Sequence, residues 1–125
     1  MSSLEKAKLA AQAALDKVAS DIVALDVHEV VSFADVFVIA SGRSDRQVRS
    51  IADGIVEAVK KRGGEVRGVE GAEEGRWVLI DLGDVIVHVF QKQTREDYDL
   101  ERLWSDAPAV DLDLPEETTG VRVVR

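Results

Sequence analysis

The strand–turn–helix at Ile39-Ala40-Ser41-Gly42-Arg43-Ser44 is the place in this 125-residue chain best suited to chemistry. A Gly-Ser turn ahead of a helix N-terminus offers backbone N–H groups that can cradle a phosphate. Nucleotidyl transfer at such a turn also needs two carboxylates one residue apart on a strand, to hold catalytic metal. The nearest pair is Asp81 and Asp84, three apart with Gly83 between them, which is the spacing of a hairpin turn rather than a metal clamp. Gly42-Arg43-Ser44 lacks the glycine spacing and the Gly-Lys-Ser/Thr ending of a P-loop. No Gly-x-Ser-x-Gly is present, and the chain has no cysteine, so nucleophilic thiols, disulfides and thiolate metal sites are excluded.

The two histidines cannot hold a metal alone. His88 alternates with Ile86 and Phe90 on an apolar strand, which favours a hydrogen-bonded, partly buried ring over a catalytic base. His28 sits between Asp26 and Glu29 in a loop, where solvation is expected. Arg43, Arg46 and Arg49 gather at a helix start. Three arginines opposing the helix dipole, with no aromatic platform, make a thin phosphate patch, so solvation or pairing with acids is the favoured reading. The chain therefore reads as a non-enzyme, with no cofactor and no metal.

These residues need elements to position them. Leu4, Ala7, Ala11, Ala14, Leu15 and Val18 recur at helical spacing and predict a helix over 3–19. Short strands follow at 22–27 and 35–41. Ser44 and Gln47 form a capping-box pattern that opens a helix running to Arg62, with Val48, Ile51, Ala52, Ile55, Val56 and Val59 as its apolar stripe. A weak strand at 65–70 precedes two strong ones, 77–82 and 84–90, joined at Gly83 as a hairpin. Thr94 is expected to cap a last short helix that docks Leu100, Leu103 and Trp104. Tyr98 projects elsewhere, either as an exposed anchor or lying over the adjacent strand; the two readings stand equal.

The resulting fold class is α/β (α+β), a mixed sheet of about five strands with helices packed on it, apolar on both faces. Val78, Ile80 and Leu82 point one way and Trp77 and Leu79 the other; Val85, Val87 and Val89 oppose Ile86, His88 and Phe90. Two long helices cover one face and a short helix remains for the other, which leaves apolar surface for a partner or a second copy. Residues 1–107 form the domain, and 108–125 are expected to be an acidic, flexible tail.

The net charge of −8 is uneven. Residues 94–120 hold nine acids against two bases, whereas residues 1–93 hold fifteen against twelve. Such an end repels bare phosphate backbones and suits a basic protein, or serves solubility. With no signal-peptide h-region and no spanning apolar run, the expected location is cytoplasmic, with no membrane association.

Four blocks carry a resemblance. Asp35-Val-Phe-Val-Ile-Ala-Ser-Gly-Arg-Ser-Asp-Arg-Gln47 is followed by Glu70-Gly71 with Gly75-Arg76-Trp77-Val78-Leu79-Ile80-Asp81. Then come Gly83-Asp84-Val85-Ile86-Val87-His88-Val89-Phe90 and Arg95-Glu96-Asp97-Tyr98-Asp99-Leu100-Glu101-Arg102-Leu103-Trp104. Over roughly residues 4–107 the chain resembles the ribosomal silencing factor, or Iojap, family. Where that family often has two aromatics before the Leu-Glu of the last block, this chain has Asp97-Tyr98. The resemblance implies a nucleotidyltransferase-like fold without an active site. It also implies binding to the large ribosomal subunit through ribosomal protein uL14, a steric block to subunit joining that represses translation in starvation or stationary phase, and a homodimer when free. Contact is expected on the open sheet face and the last helix, at Trp77, His88, Phe90, Tyr98 and Trp104, with Asp81 and Asp84 of the hairpin tip, and Tyr98, as polar contacts at its rim. The competing expectations are a nucleotide-binding enzyme acting through the Ser41–Ser44 turn, and an RNA-binding assembly factor acting through Arg43, Arg46 and Arg49.

Overall fold

The structure is a computed structural model that describes residues 1–115. Its elements are α1 (Ser3–Asp16), β1 (Ser20–Asp26), β2 (Val36–Gly42), α2 (Asp45–Lys61), β3 (Gly68–Glu70), β4 (Trp77–Asp81), β5 (Val85–Gln91), α3 (Lys92–Tyr98) and α4 (Leu100–Leu103). The five strands form one sheet in the order β1-β2-β5-β4-β3. Only β2 and β5 run parallel, with α2 and the β3–β4 stretch in the crossover between them; the other pairs are antiparallel.

Ser44 caps α2 as the sequence predicts, whereas α1 stops at Asp16, short of the expected 19, and Val18, expected on its apolar stripe, is exposed in the left-handed region at φ 62°. Ser2 Oγ accepts the Glu5 N–H at 3.1 Å, and Ser44 Oγ accepts the Gln47 N–H at 3.1 Å. The reciprocal half of the second box is displaced by one residue, because Gln47 Oε1 takes the Arg43 N–H at 2.6 Å. Gln47 Nε2 donates to the carbonyls of Lys17 and Val18, tying the end of α1 to the start of α2.

Both long helices lie on one sheet face. Five alanines of α1 (Ala7, Ala10, Ala11, Ala13, Ala14) pack there with Val48, Ile51, Ile55 and Val59 of α2. Beneath them are Val36, Val38, Val78, Ile80, Val85, Val87 and Val89. Small side chains on α1 bring its backbone close to its neighbours, so this layer is dense without aromatic bulk.

Three further expectations need correction. Thr94 is no cap: the helix starts two residues earlier, at Lys92, behind an uncapped Gln91. The expected single helix breaks at Asp99, in the left-handed region at φ 47°, so Leu100 and Leu103 leave on a separate turn. Leu100 docks, whereas Leu103 is 69% exposed. Residues 108–115 are not a free tail. They run along β1, with the Asp26 N–H donating to the Pro108 carbonyl and the Val110 N–H to that of Ala24. Leu112 and Leu114 are buried in the helix-face core, and Lys8 pairs with Asp113 at 2.6 Å. The strap covers the exposed edge of β1, which would otherwise present unpaired backbone groups. The rest of the expected tail, residues 116–125, lies outside the described residues.

Candidate docking face

On the other sheet face the chemistry changes. The chain has three Phe, two Trp and one Tyr, and all six lie there in two groups of ring contacts that His88 joins into one chain. Tyr98 lies 4.8 Å from Trp77, which stacks on Phe90 at 4.9 Å. His88 lies 6.0 Å from Trp77 and meets Phe37 edge-on at 5.0 Å; Phe37 touches Trp104 at 4.8 Å and Phe33 at 6.0 Å. Strand alternation explains the sorting: Trp77, Leu79 and Asp81 on β4 share this face with Ile86, His88 and Phe90 on β5.

Gly71 helps fix Trp77. It sits at φ 86°, and a Cβ there would come within 2.1 Å of the Trp77 carbonyl oxygen. Among the described residues this face is covered by the β1–β2 loop, whose Val27, Val31 and Ala34 pack on Phe37 and Ile86, and by α3, α4 and the turn after them, clamped by Arg95. That buried guanidinium grips the Glu101 carboxylate with two hydrogen bonds, at 2.9 and 3.1 Å. It also donates to the Asp21 carbonyl and to Ser41 Oγ, both at 2.7 Å. Ser41, at the start of the turn considered for phosphate chemistry, is thus buried and bonded to Arg95, while the Arg43 N–H of that turn and the Gln47 N–H of the helix after it are taken by the Gln47 and Ser44 side chains.

The expected contact residues divide. Trp77 and Trp104 are half-buried, with Leu79 beside them, and Tyr98 is 60% exposed. Tyr98 does both things expected of it, lying over Trp77 and presenting most of its surface. Phe90 and His88 are core: Phe90 is fully buried and His88 is 4% exposed, so neither side chain can reach a partner. Asp81 is on the aromatic face but spends one oxygen on the Gly83 N–H at 2.8 Å, closing the hairpin. Asp84 turns to the helix side, where it receives Lys6 Nζ and Ser3 Oγ, each at 2.5 Å. Burial pushes its carboxyl up, but those hydrogen bonds and the Lys6 charge outweigh burial and hold it below the usual carboxylate range. Its expected place at a binding rim is therefore corrected to an anchor for α1.

Sequence reasoning missed Leu103, which is exposed beside Tyr98, and Phe33, 63% exposed at the far end of the ring chain. A cleft of about 440 Å³ beside Trp77 and Tyr98 is lined by Gly71, Glu74, Arg76, Thr94 and Asp97. Its continuation past Tyr98 meets Glu96, Asp97, Asp99, Arg102 and Leu103, so the aromatic surface carries a mainly acidic rim.

The remaining candidates are ordinary surface. Arg49 bonds Asp45 at 3.0 Å and the Glu73 carbonyl at 3.2 Å, and its hydrogen bond holds the Asp45 carboxyl below its usual value. His28 is exposed and bonded to Asp26, whose hydrogen bond raises the His28 pKa. Among the described residues no cluster of three or more His, Asp or Glu could hold a metal ion, and no helix is long and apolar enough to cross a membrane.

Comparison with known proteins agrees with this architecture. The family described as "Ribosomal silencing factor during starvation" matches residues 1–123. Ribosomal silencing factor RsfS of Bacillus subtilis is 52% identical over 106 residues, covering 85% of this chain and 90% of that protein. A solved structure from Chromobacterium violaceum superposes with a TM-score of 0.83 at 35% identity, covering 95% of this chain and 98% of that one. The mouse protein named "Mitochondrial assembly of ribosomal large subunit protein 1" is 32% identical over 90 residues, 70% of this chain but 40% of its own length. The chain therefore belongs to the ribosomal silencing factor family.

Proposed function

We propose that this protein acts in the cytoplasm by docking its aromatic sheet face on the large ribosomal subunit, through ribosomal protein uL14, and sterically blocks the small subunit from joining, thereby repressing translation. The observation that carries the reading is the gathering of all six aromatics on the one face that the long helices leave uncovered, with Tyr98, Leu103 and Phe33 exposed on it. Exposed Tyr beside half-buried Trp is the composition of a binding hot spot. The rim of Glu74, Glu96, Asp97 and Asp99 suits a basic ribosomal protein and repels bare rRNA. Function then needs bulk and a face, with no bond made or broken. The same surface would serve a homodimer in the free protein, in competition with the ribosome.

Sucrose-gradient sedimentation of separated subunits tests this reading. The protein is expected to travel with the large subunit and to shrink the joined-ribosome peak. Subunits that join normally while the protein stays at the top of the gradient would refute it.

A further inference from the structure

His88 is an anomaly on the aromatic face. It occupies a core position on β5 between Ile86 and Phe90, against Phe37, where an apolar side chain would pack as well. Its Nε2 is buried without a hydrogen-bond partner among the described residues. Its one hydrogen bond is accepted by Nδ1 from the Trp77 indole Nε1–H, at 3.2 Å. An indole nitrogen only donates, so Nδ1 must be the unprotonated nitrogen and the proton must sit on the orphaned Nε2. Leaving that donor unsatisfied costs more than one ordinary hydrogen bond returns, so stability alone does not account for a histidine here. Burial keeps the ring neutral by lowering its pKa to about 4, which leaves the Nδ1 lone pair available to the indole at neutral pH.

We propose that His88 is a positioning residue for the docking face: its Nδ1 fixes the rotation of the Trp77 indole, and Trp77 in turn supports the exposed Tyr98 ring. The geometry is a relay of three rings. His88 is buried, Trp77 is half-buried and stacked on Phe90, and Tyr98 leans on Trp77 at 4.8 Å with most of its surface outside. One stacked contact with Phe90 and one tilted contact with Tyr98 leave an indole free to slide or flip; a single directional N–H bond removes that freedom. The inference rests on the docking reading above for its functional half.

The test uses the full chain and salt-washed large ribosomal subunits. His88→Phe keeps a ring between Phe37 and Phe90 but has no acceptor; His88→Leu is a second apolar variant, and His88→Gln restores an acceptor oxygen. Binding is expected to weaken about fivefold or more in the apolar variants, the size of one hydrogen bond's net contribution, with thermal midpoints at or above the parent value. In proton–nitrogen NMR the Trp77 indole N–H should shift and exchange faster in H88F and H88L and return toward its parent position in H88Q, while the Trp104 indole serves as the internal control. Unchanged binding, or an unmoved Trp77 indole signal in the apolar variants, would overturn the proposal. If the parent protein itself fails to bind large subunits, the docking reading falls, and the indole signal alone then decides whether His88 positions Trp77.

Discussion

The two faces of one sheet are built from different alphabets. The face under α1 and α2 is alanine, valine, isoleucine and leucine, closed over by two long helices and by Leu112 and Leu114 of the strap. The opposite face holds every aromatic ring and a buried histidine, under two short helical pieces and the β1–β2 loop, which leave Tyr98, Leu103 and Phe33 in water. Successive residues of a single strand serve the two tasks, Val85, Val87 and Val89 inward to the helices and Ile86, His88 and Phe90 toward the rings. The difference teaches that stability and recognition are divided by strand parity, and that damage to one face should leave the other's role measurable.

The largest test of that division is the strap. Leu112→Ala with Leu114→Ala removes two side chains that are each 2% exposed; buried Leu-to-Ala changes cost about 2–5 kcal/mol each, so urea unfolding should show a loss of at least about 4 kcal/mol. A loss under about 1 kcal/mol would mean that 108–115 is not part of the helix-face core. Next is pH. Unfolded His88 takes up a proton below about pH 6.5, whereas the folded protein refuses it until about pH 4, so this residue subtracts stability as pH falls through that window. The full effect is about 3 kcal/mol, and H88F should flatten that part of the urea-midpoint profile.

Smaller still is Asp84→Asn, which loosens α1 from the hairpin through Lys6 and Ser3 for about 1 kcal/mol. Because the Asp84 pKa is lowered on folding, its contribution is present at neutral pH and fades as pH falls through the carboxylate range; D84N should show less acid sensitivity there. Least of all, in stability, is Tyr98→Ala with Leu103→Ala: both side chains are mostly exposed, so unfolding should change by under about 0.5 kcal/mol per site while large-subunit affinity drops at least tenfold. Equal affinity in that variant would remove the recognition role from the aromatic face.

Much of this division is visible in the sequence, because alternation along 77–82 and 84–90 needs only the period of a strand. The two long helices are legible for the same local reason, α1 through its alanine-rich stripe and α2 through its cap and stripe. Nonlocal features are not. The order β1-β2-β5-β4-β3 depends on pairings between segments up to about fifty residues apart, such as Ile39 with His88. The Trp77–His88 bond is diagonal across the hairpin, Trp77 standing opposite Phe90 and Leu79 opposite His88, so it emerges only once the register is known. Asp84 reads as a rim acid from its turn; its partners Ser3 and Lys6 are about eighty residues away. The acidic composition of 108–115 hides two leucines at alternate positions whose burial depends on the edge of β1. The break at Asp99 carries no glycine to announce it, which is why Leu103 was expected to dock beside Leu100.

The most direct measurement is site-specific photo-crosslinking to large subunits from opposite sides of the molecule. One photoreactive residue replaces Leu103 on the aromatic face, and another replaces the exposed Glu57 on α2. The account predicts a crosslink to a large-subunit protein, identified by mass spectrometry as uL14, from position 103 and none from position 57. A crosslink from position 57 with none from 103 would contradict it, and would move the docking face to the helices.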